Sequence, residues 1–379
     1  MDPSSVSCPN LACADKGVAG AGNIRVHSRT EARYRCRTCG RTFAATTNTP
    51  LYRLHHPAAT MTLVLTLLLH GCPIPAIVAA FALDERTVRA WLHKAGAHAA
   101  TLHDRLVADV DARQVQADEM RVRVRGGAVW AAVALDVGSR LWLATAVARQ
   151  RDGLLVHLLL RRTLATLTNR AFLLAVDGFA SYVTAAHPLL RVPERTGRRG
   201  RPRLVWPPGF ALAQVVKAGL HRGGSIVRRV AVGTEATVAA ALAASHGGTT
   251  INTAYIERLN ATLREHLAPL VRRRRTPAQG TALVESGLSL LRLAYNYCWT
   301  HESLRLHAIG TGQRWAERTP AMAAGLTDRA YGLDELLRMP AHPVPLTAPR
   351  TPRRGRPSAR GRVIAFPHLS GAPPERSIA

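Results

Sequence analysis

The stretch from Val110 to Val176 constrains the fold more than any other part of this chain. Met120, Val122 and Val124 alternate with Arg121, Arg123 and Arg125, a period of two that sends one set to a core and the other to solvent. Trp130 to Val137 is a nearly continuous apolar run, the pattern of a strand covered on both faces. Asp136 and Gly138 then read as a turn, and Leu141 to Ala148 returns. Gly153 to Thr168 is Leu-rich and reads as a helix. Ala171 to Val176 is a short unbroken apolar run, expected as a buried parallel strand. This order predicts an α/β domain, a mixed sheet flanked by helices.

Three carboxylates occupy informative places on that frame. Asp118 shares strand parity with the apolar set, so it is expected to point inward, where an unpaired charge is expensive and a metal ion would offset it. Glu119 shares parity with the arginines and is expected at the surface as their partner. Asp177 ends the Ala171–Val176 run, where open α/β sheets place their sites, although a strand-terminal Asp-Gly is also a common turn. Glu257 lies on an expected helix with the apolar stripe Ile256, Leu259, Leu263, Leu267 and Leu270, and Asn252 or Thr253 can cap it. Glu257, Asn260 and Arg264 form a polar line beside that stripe, a pattern that a solvated helix face would also give. Three carboxylates of this kind suit two hard divalent cations about 3.5–4 Å apart, as in phosphoryl transfer.

Residues 1–54 are polar and contain Cys8, Cys13, Cys36 and Cys39. The second pair has knuckle spacing and is followed by Gly40; the first pair is wider. Two close thiol pairs in so small a segment predict a zinc ribbon with a structural Zn²⁺, rather than unrelated cysteines in a loop. Residues 58–100 read as a helix-turn-helix. Ile74, Ile77, Val78 and Phe81 recur at helical spacing; Asp84 caps a second helix and Gly96 is expected to end it. Val88, Trp91, Leu92 and Ala95 form the buried stripe, which leaves Arg86, Thr87, Arg89 and His93 on the outer face, where a recognition helix meets DNA and an ordinary helical pair meets water.

The formal net charge is +27, from 51 Lys and Arg against 24 Asp and Glu, and nearly all of the positive charge is Arg. That excess favours a polyanionic partner, with double-stranded DNA ahead of an anionic membrane surface. Thr196 to Arg203 carries an Arg-Gly-Arg-Pro core that recurs at Arg354 to Pro357. Its Arg199 and Arg201 could enter a narrow minor groove or belong to a basic linker. Arg272 and Arg273, in the run that ends the Glu257 helix, suit both the helix dipole and phosphates. Residues 340–379 are rich in Pro and Arg and are expected to be a disordered basic tail. No secretory start or bilayer-length apolar run is present, so a cytoplasmic, nucleoid-associated protein with no membrane role is expected.

Together these segments resemble the DDE transposases of bacterial insertion sequences, most closely the insertion-sequence-one-like group. The matching residues are Arg33 to Phe43, the helix-turn-helix, Ala117-Asp-Glu119, Val176-Asp-Gly178 and Tyr255 to Asn260. Tyr295-Asn-Tyr297, followed by His301, Ser303 and Leu304, looks like the stretch that trails this domain in related transposases. The resemblance covers about three quarters of the chain. It implies an RNase H-like catalytic domain over 110–310, with two Mg²⁺ (or Mn²⁺) held by Asp118, Asp177 and Glu257. It also implies DNA contacts that include Arg258 and Arg264, cleavage and transfer of DNA strands, and a homo-oligomer on the paired ends. Two departures stand out: the wide first Cys pair, and a long gap between Asp177 and Glu257 that implies a basic insertion around 190–250. A catalytically silent DNA-binding regulator, or an RNase H-like nuclease or resolvase, are the alternative readings.

Overall fold

Gly40, at φ +70°, lets the chain reverse between its second and third strands. Ile24–Ser28 (β1), Arg33–Cys36 (β2) and Thr42–Ala44 (β3) thus form an antiparallel sheet. The computed structural model describes residues 1–195, 197, 201–217, 224–268, 278–308 and 314–341. The core of this first unit is small and separate: Ile24, Tyr34 and Phe43 packed with Cys8, Cys13 and Cys36.

Three helices follow, Ala58–Leu69 (α1), Ile74–Phe81 (α2) and Glu85–Leu106 (α3). Asp84 caps α3 by accepting the Arg86 N–H at 2.7 Å, and Val88, Trp91, Leu92 and Ala95 are buried as their spacing predicts. The expectation that Gly96 ends this helix is corrected, since α3 runs on to Leu106. A Cβ at Gly96 would lie 2.5 Å from Ser286 Cα, so this glycine serves close helix–helix approach.

The main sheet begins with the meander Gln114–Val124 (β4), Gly127–Asp136 (β5) and Trp142–Ala148 (β6). Gly153–Thr166 (α4) crosses back to Leu173–Asp177 (β7), and Ser181–Leu190 (α5) leads to a hairpin of Val192–Glu194 (β8) and Arg203–Val205 (β9). Ala211–Lys217 (β10), Ile226–Val232 (β11) and Glu235–Ser245 (α6) come next. Then follow Ala254–His266 (α7) and Thr281–Tyr297 (α8). A short ribbon of Leu306–His307 (β12) and Trp315–Ala316 (β13) precedes Pro320–Ala323 (α9) and Leu333–Arg338 (α10).

The six-stranded sheet has the order β11-β10-β7-β4-β5-β6. β5 is antiparallel to both β4 and β6, β7 lies parallel to β4 and to β10, and β11 returns antiparallel at the edge. α4 and α5 cover one face; α6, α7 and α8 cover the other. The expectation of a basic insertion over 190–250 is corrected, because that stretch supplies two sheet strands and α6. Ala211 to Val215 are buried like any central strand, and of the described strands in this stretch the β8–β9 hairpin stands outside the six-stranded sheet. Arg201 lies in that hairpin's loop and is exposed, whereas Arg199, Arg272, Arg273 and the tail from residue 342 lie outside the described residues.

α3 lies along α8, and a single hydrophobic cluster runs from α1–α3 through α8 into the sheet. Within this seam the Asn296 amide hydrogen-bonds the Trp142 backbone in both directions, at 2.9 and 3.0 Å. His103, fully buried on α3, hydrogen-bonds the same Trp142 carbonyl at 3.2 Å through Nε2. Burial and the Arg292 guanidinium lower the His103 pKa from 6.5 to about 4.

The folded state therefore holds a neutral imidazole that the unfolded chain protonates below pH 6.5. This contribution to stability is complete above that value and is lost as pH falls toward about 4. Between pH 7 and 5 the loss is expected to be about 2 kcal/mol from this residue. His301, also held near 4, adds to the same slope. Urea unfolding of wild type and His103→Phe at both pH values measures the share: the variant's slope should be shallower by about that amount, and identical slopes would exclude the assignment.

Candidate functional site

Two groups of metal-ligating side chains converge among the described residues. In the first, the Sγ atoms of Cys8, Cys13, Cys36 and Cys39 all lie within 4.8 Å of one another. Cys8 and Cys39 sulfurs are 3.6 Å apart, and Cys13 and Cys36 sulfurs 3.8 Å. A tetrahedral Zn²⁺ with Zn–S bonds of ~2.3 Å sets sulfurs roughly 3.8 Å apart, so the set fits zinc. The wide first pair reaches this geometry through a local turn in which the Cys13 N–H donates to the Asn10 carbonyl at 3.0 Å. Burial pushes the Cys8 thiol up, to about 12, whereas the Arg41 N–H and the Asn10 side chain pull Cys39 down, to about 6.

The second group is Asp118, Glu119 and Asp177, with carboxylate oxygens also within 4.8 Å of one another. Asp118 sits mid-strand on β4 and Asp177 at the carboxyl end of its parallel neighbour β7. The Asp118 Oδ1 accepts the Glu119 N–H at 2.8 Å, and its Oδ2 accepts from the Asn260 amide on α7 at 2.7 Å. Asp177 Oδ1 accepts the Phe179 N–H at 2.9 Å. Burial, then the neighbouring Glu119 carboxylate, pushes the Asp118 pKa up to about 6. Arg151 pairs with Glu119 and Asp177, and a divalent cation would relieve negative charge that its guanidinium leaves on the three clustered carboxylates.

Glu119 departs from the expectation of a surface partner for the strand arginines. Its side chain is 0% exposed, and it accepts from the Tyr182 hydroxyl on α5 and from Arg151 at 2.8 and 2.9 Å. The parity rule held for Arg121 and Arg123, which are exposed where β4 extends toward its end, but at Glu119 the same face is covered by α4 and α5. Burial raises the Glu119 pKa, against the pull of Tyr182 and Arg151. The Tyr182 hydroxyl is itself held well above its usual value by burial and by Glu119, so it stays a donor.

Glu257 lines the same cleft as Asp118 and Asp177 but lies outside the carboxylate cluster. Its Oε1 is taken by the Lys217 ammonium and by the Thr253 hydroxyl, the latter at 2.8 Å. Burial raises its pKa, and those two donors outweigh burial and hold it below the usual range. Asn260, on the polar line expected for α7, is buried toward Asp118, and Arg264 lines the cleft. Arg258, next to Glu257, is exposed. Asp136 behaves as the turn residue its setting predicts, accepting the Ser139 N–H at 2.8 Å and the Ser139 hydroxyl.

On α3, Arg86 is exposed and Thr87 half-buried. Arg89 pairs with Glu85, and its side chain is 24% exposed. His93 is exposed but hydrogen-bonds Ser286 on α8 at 3.0 Å, so the helix–helix seam holds it, whereas Arg86 is exposed at the start of α3.

Arg151, Tyr182 and Lys217 escaped the sequence reading. Lys217 left one signal: it is one of three lysines in the chain, at the end of an apolar run. Arg151 and Tyr182 left none, since both contacts are long-range. Compared with protein-family models and with curated proteins, the chain has no match. No helix among the described residues is long and apolar enough to cross a membrane.

Because the Cys-bearing unit has its own small core, Cys36→Ser is expected to remove bound metal and unfold that unit while the main sheet stays folded. Wild type should carry one zinc per chain and the variant none, by a colorimetric zinc assay beside circular dichroism. Stoichiometric zinc in a folded Cys36→Ser protein would contradict this.

Proposed function

We propose that this chain is a DNA transposase of the DDE type, whose cleft cleaves and joins DNA strands with two Mg²⁺ or Mn²⁺ ions held by Asp118, Asp177 and Glu257. The observation that carries the reading is the convergence of one carboxylate from a central strand, one from the end of the adjacent parallel strand and one from a helix across the same cleft. The strand order supports an RNase H-like reading of the sheet: an antiparallel meander β4-β5-β6 followed on the other side of β4 by two parallel strands, β7 and β10.

When bound, such ions activate a water or 3′ hydroxyl and stabilise the leaving oxygen. The residues of the chain prepare the site. Asn260 and the Phe179 N–H each occupy one oxygen of Asp118 and Asp177 and so fix both carboxylates in orientation. Lys217 and Thr253 hold Glu257 ionised at the rim. Arg264 and Lys217 line the cleft and favour the approach of phosphates. The Cys-bearing unit and the exposed start of α3 are suited to binding the element's ends, and joining two ends calls for a homo-oligomer on DNA.

Asp118→Asn, Asp177→Asn and Glu257→Gln are each expected to abolish Mg²⁺-dependent cleavage of labelled end DNA while folding and end binding persist. Pairs should be no worse than singles, because one shared site fails as a unit. Glu119→Gln, buried beside the cluster, is expected to impair cleavage rather than leave it intact. A wild-type protein that binds its paired ends but never cuts them with any divalent ion would favour the silent-regulator reading. Arg86→Ala is expected to lose about 1–3 kcal/mol of preference for end DNA over random DNA in gel-shift titrations. Equal weakening on both DNAs would make Arg86 a phosphate contact.

A further inference from the structure

We infer that Arg151 is a resident counter-cation of the cleft, tethered to Glu119, and that it gives up Asp177 when a divalent ion binds there. The inference rests on the metal reading of the cleft. The two ends of the Arg151 bridge are unlike.

Toward Glu119 the contact is double and enclosed. Nε and Nη2 meet Oε2 at 2.9 and 2.8 Å, the carboxylate is 0% exposed, and Tyr182 holds its other oxygen. Toward Asp177 the contact is single, Nη2 to Oδ2 at 2.6 Å, and that carboxylate is 39% exposed. The guanidinium lies over the Phe179 ring at 4.4 Å, with Trp130 at 5.5 Å, so aromatic walls guide the planar group. A buried carboxylate without its cation is strongly unfavourable, so the Glu119 end stays closed. The Asp177 end can open, because solvent reaches it and one hydrogen bond holds it.

The oxygen that Arg151 occupies is also the one Asp177 has left for a ligand, since Oδ1 is held by the Phe179 N–H. Arg151 therefore satisfies the clustered negative charge in the absence of an ion and weakens metal binding by competing for Oδ2. Once released, the Nη2 donor lines the cleft and suits a phosphate oxygen of the substrate strand. Arg151 in this sense exchanges a carboxylate oxygen for a phosphate oxygen.

The test is Mn²⁺ titration of zinc-loaded, full-length protein, reading free Mn²⁺ by electron paramagnetic resonance, with melting curves on the same samples. Arg151→Gln is expected to bind Mn²⁺ about tenfold tighter, to melt lower without metal, and to gain more from Mn²⁺ than wild type does. Glu119→Gln should shift the other way, because an untethered Arg151 settles wholly on Asp177. Arg151→Lys keeps a charge beside Glu119 but cannot span both carboxylates, so it too should bind tighter, and it serves if the Gln variant does not fold. Wild-type affinity in a folded Arg151→Lys or Arg151→Gln protein overturns the inference. Mn²⁺ binding that Asp118→Asn and Asp177→Asn leave unchanged overturns the metal reading itself, and the two failures are thereby distinct.

Discussion

One buried amide holds the two halves of the cleft together. Gln116, fully buried on β4, accepts the Ile256 N–H at 2.9 Å and donates to the Asn252 carbonyl at 2.8 Å. The first turn of a helix has N–H groups with no partner of its own, and a capping residue normally supplies one. Here Thr253, at the cap position, makes no such bond, and its hydroxyl donates to Glu257 instead. Asn252, one of the two caps expected from the sequence, accepts the Ala254 N–H at 3.1 Å, and the strand takes the Ile256 N–H. A side chain two residues before Asp118 thus fixes the start of the helix that carries Glu257 and Asn260. The separation of the candidate ligands follows from a contact within the core rather than from a loop.

The carboxylates beyond that clamp are arranged at some expense of stability. Asp118 is pushed up to about 6 by burial and by Glu119, a sign that the ionised cluster is under-compensated. A fold selected for stability alone would place apolar residues here, because buried ionic groups rarely improve on well-packed hydrophobic ones. The same face of the sheet shows that alternative: Leu173 and Ala175, four and two residues before Asp177 on its side of β7, pack with Ala213 in an apolar cluster. That contrast supports the proposed reading of the cluster as a site, in which Arg151 is the local compensating charge.

Local pattern carried much of this into the sequence. The β4–β6 meander, α4 and the buried β7 follow from periodicity alone, and the Asp136 turn from its Gly. The four cysteines converge as their pairing suggests. What failed was long-range. Strand parity assigned Glu119 a face correctly, but not what covers that face, which depends on a helix some sixty residues later. Gly96 looks like a helix end in isolation and is a close-contact glycine only once α8 lies against it. Ala211 to Val215 was hidden by the basic residues around it, though its composition is that of a central strand. Gln116 carried no signal, because an amide inside a strand announces neither burial nor partner.

The units differ in how firmly they are joined, and this bears on how DNA binding and the cleft would be coupled. The Cys-bearing unit has its own core, so its position owes little to the packing of the sheet. α3 is different: it shares one hydrophobic cluster with α8 and the sheet, Gly96 allows backbone contact with Ser286, and His98, His103 and Arg105 bond to carbonyls of Leu336, Trp142 and Pro340. On the proposed reading, the exposed Arg86 end of α3 is then rigidly indexed to the carboxylates through α8. DNA held there would meet the cleft at a set distance, while the separate N-terminal unit could adapt to its own part of the end. On that reading, the packing of α3 against α8 and the sheet, rather than a linker length, would fix where cleavage falls.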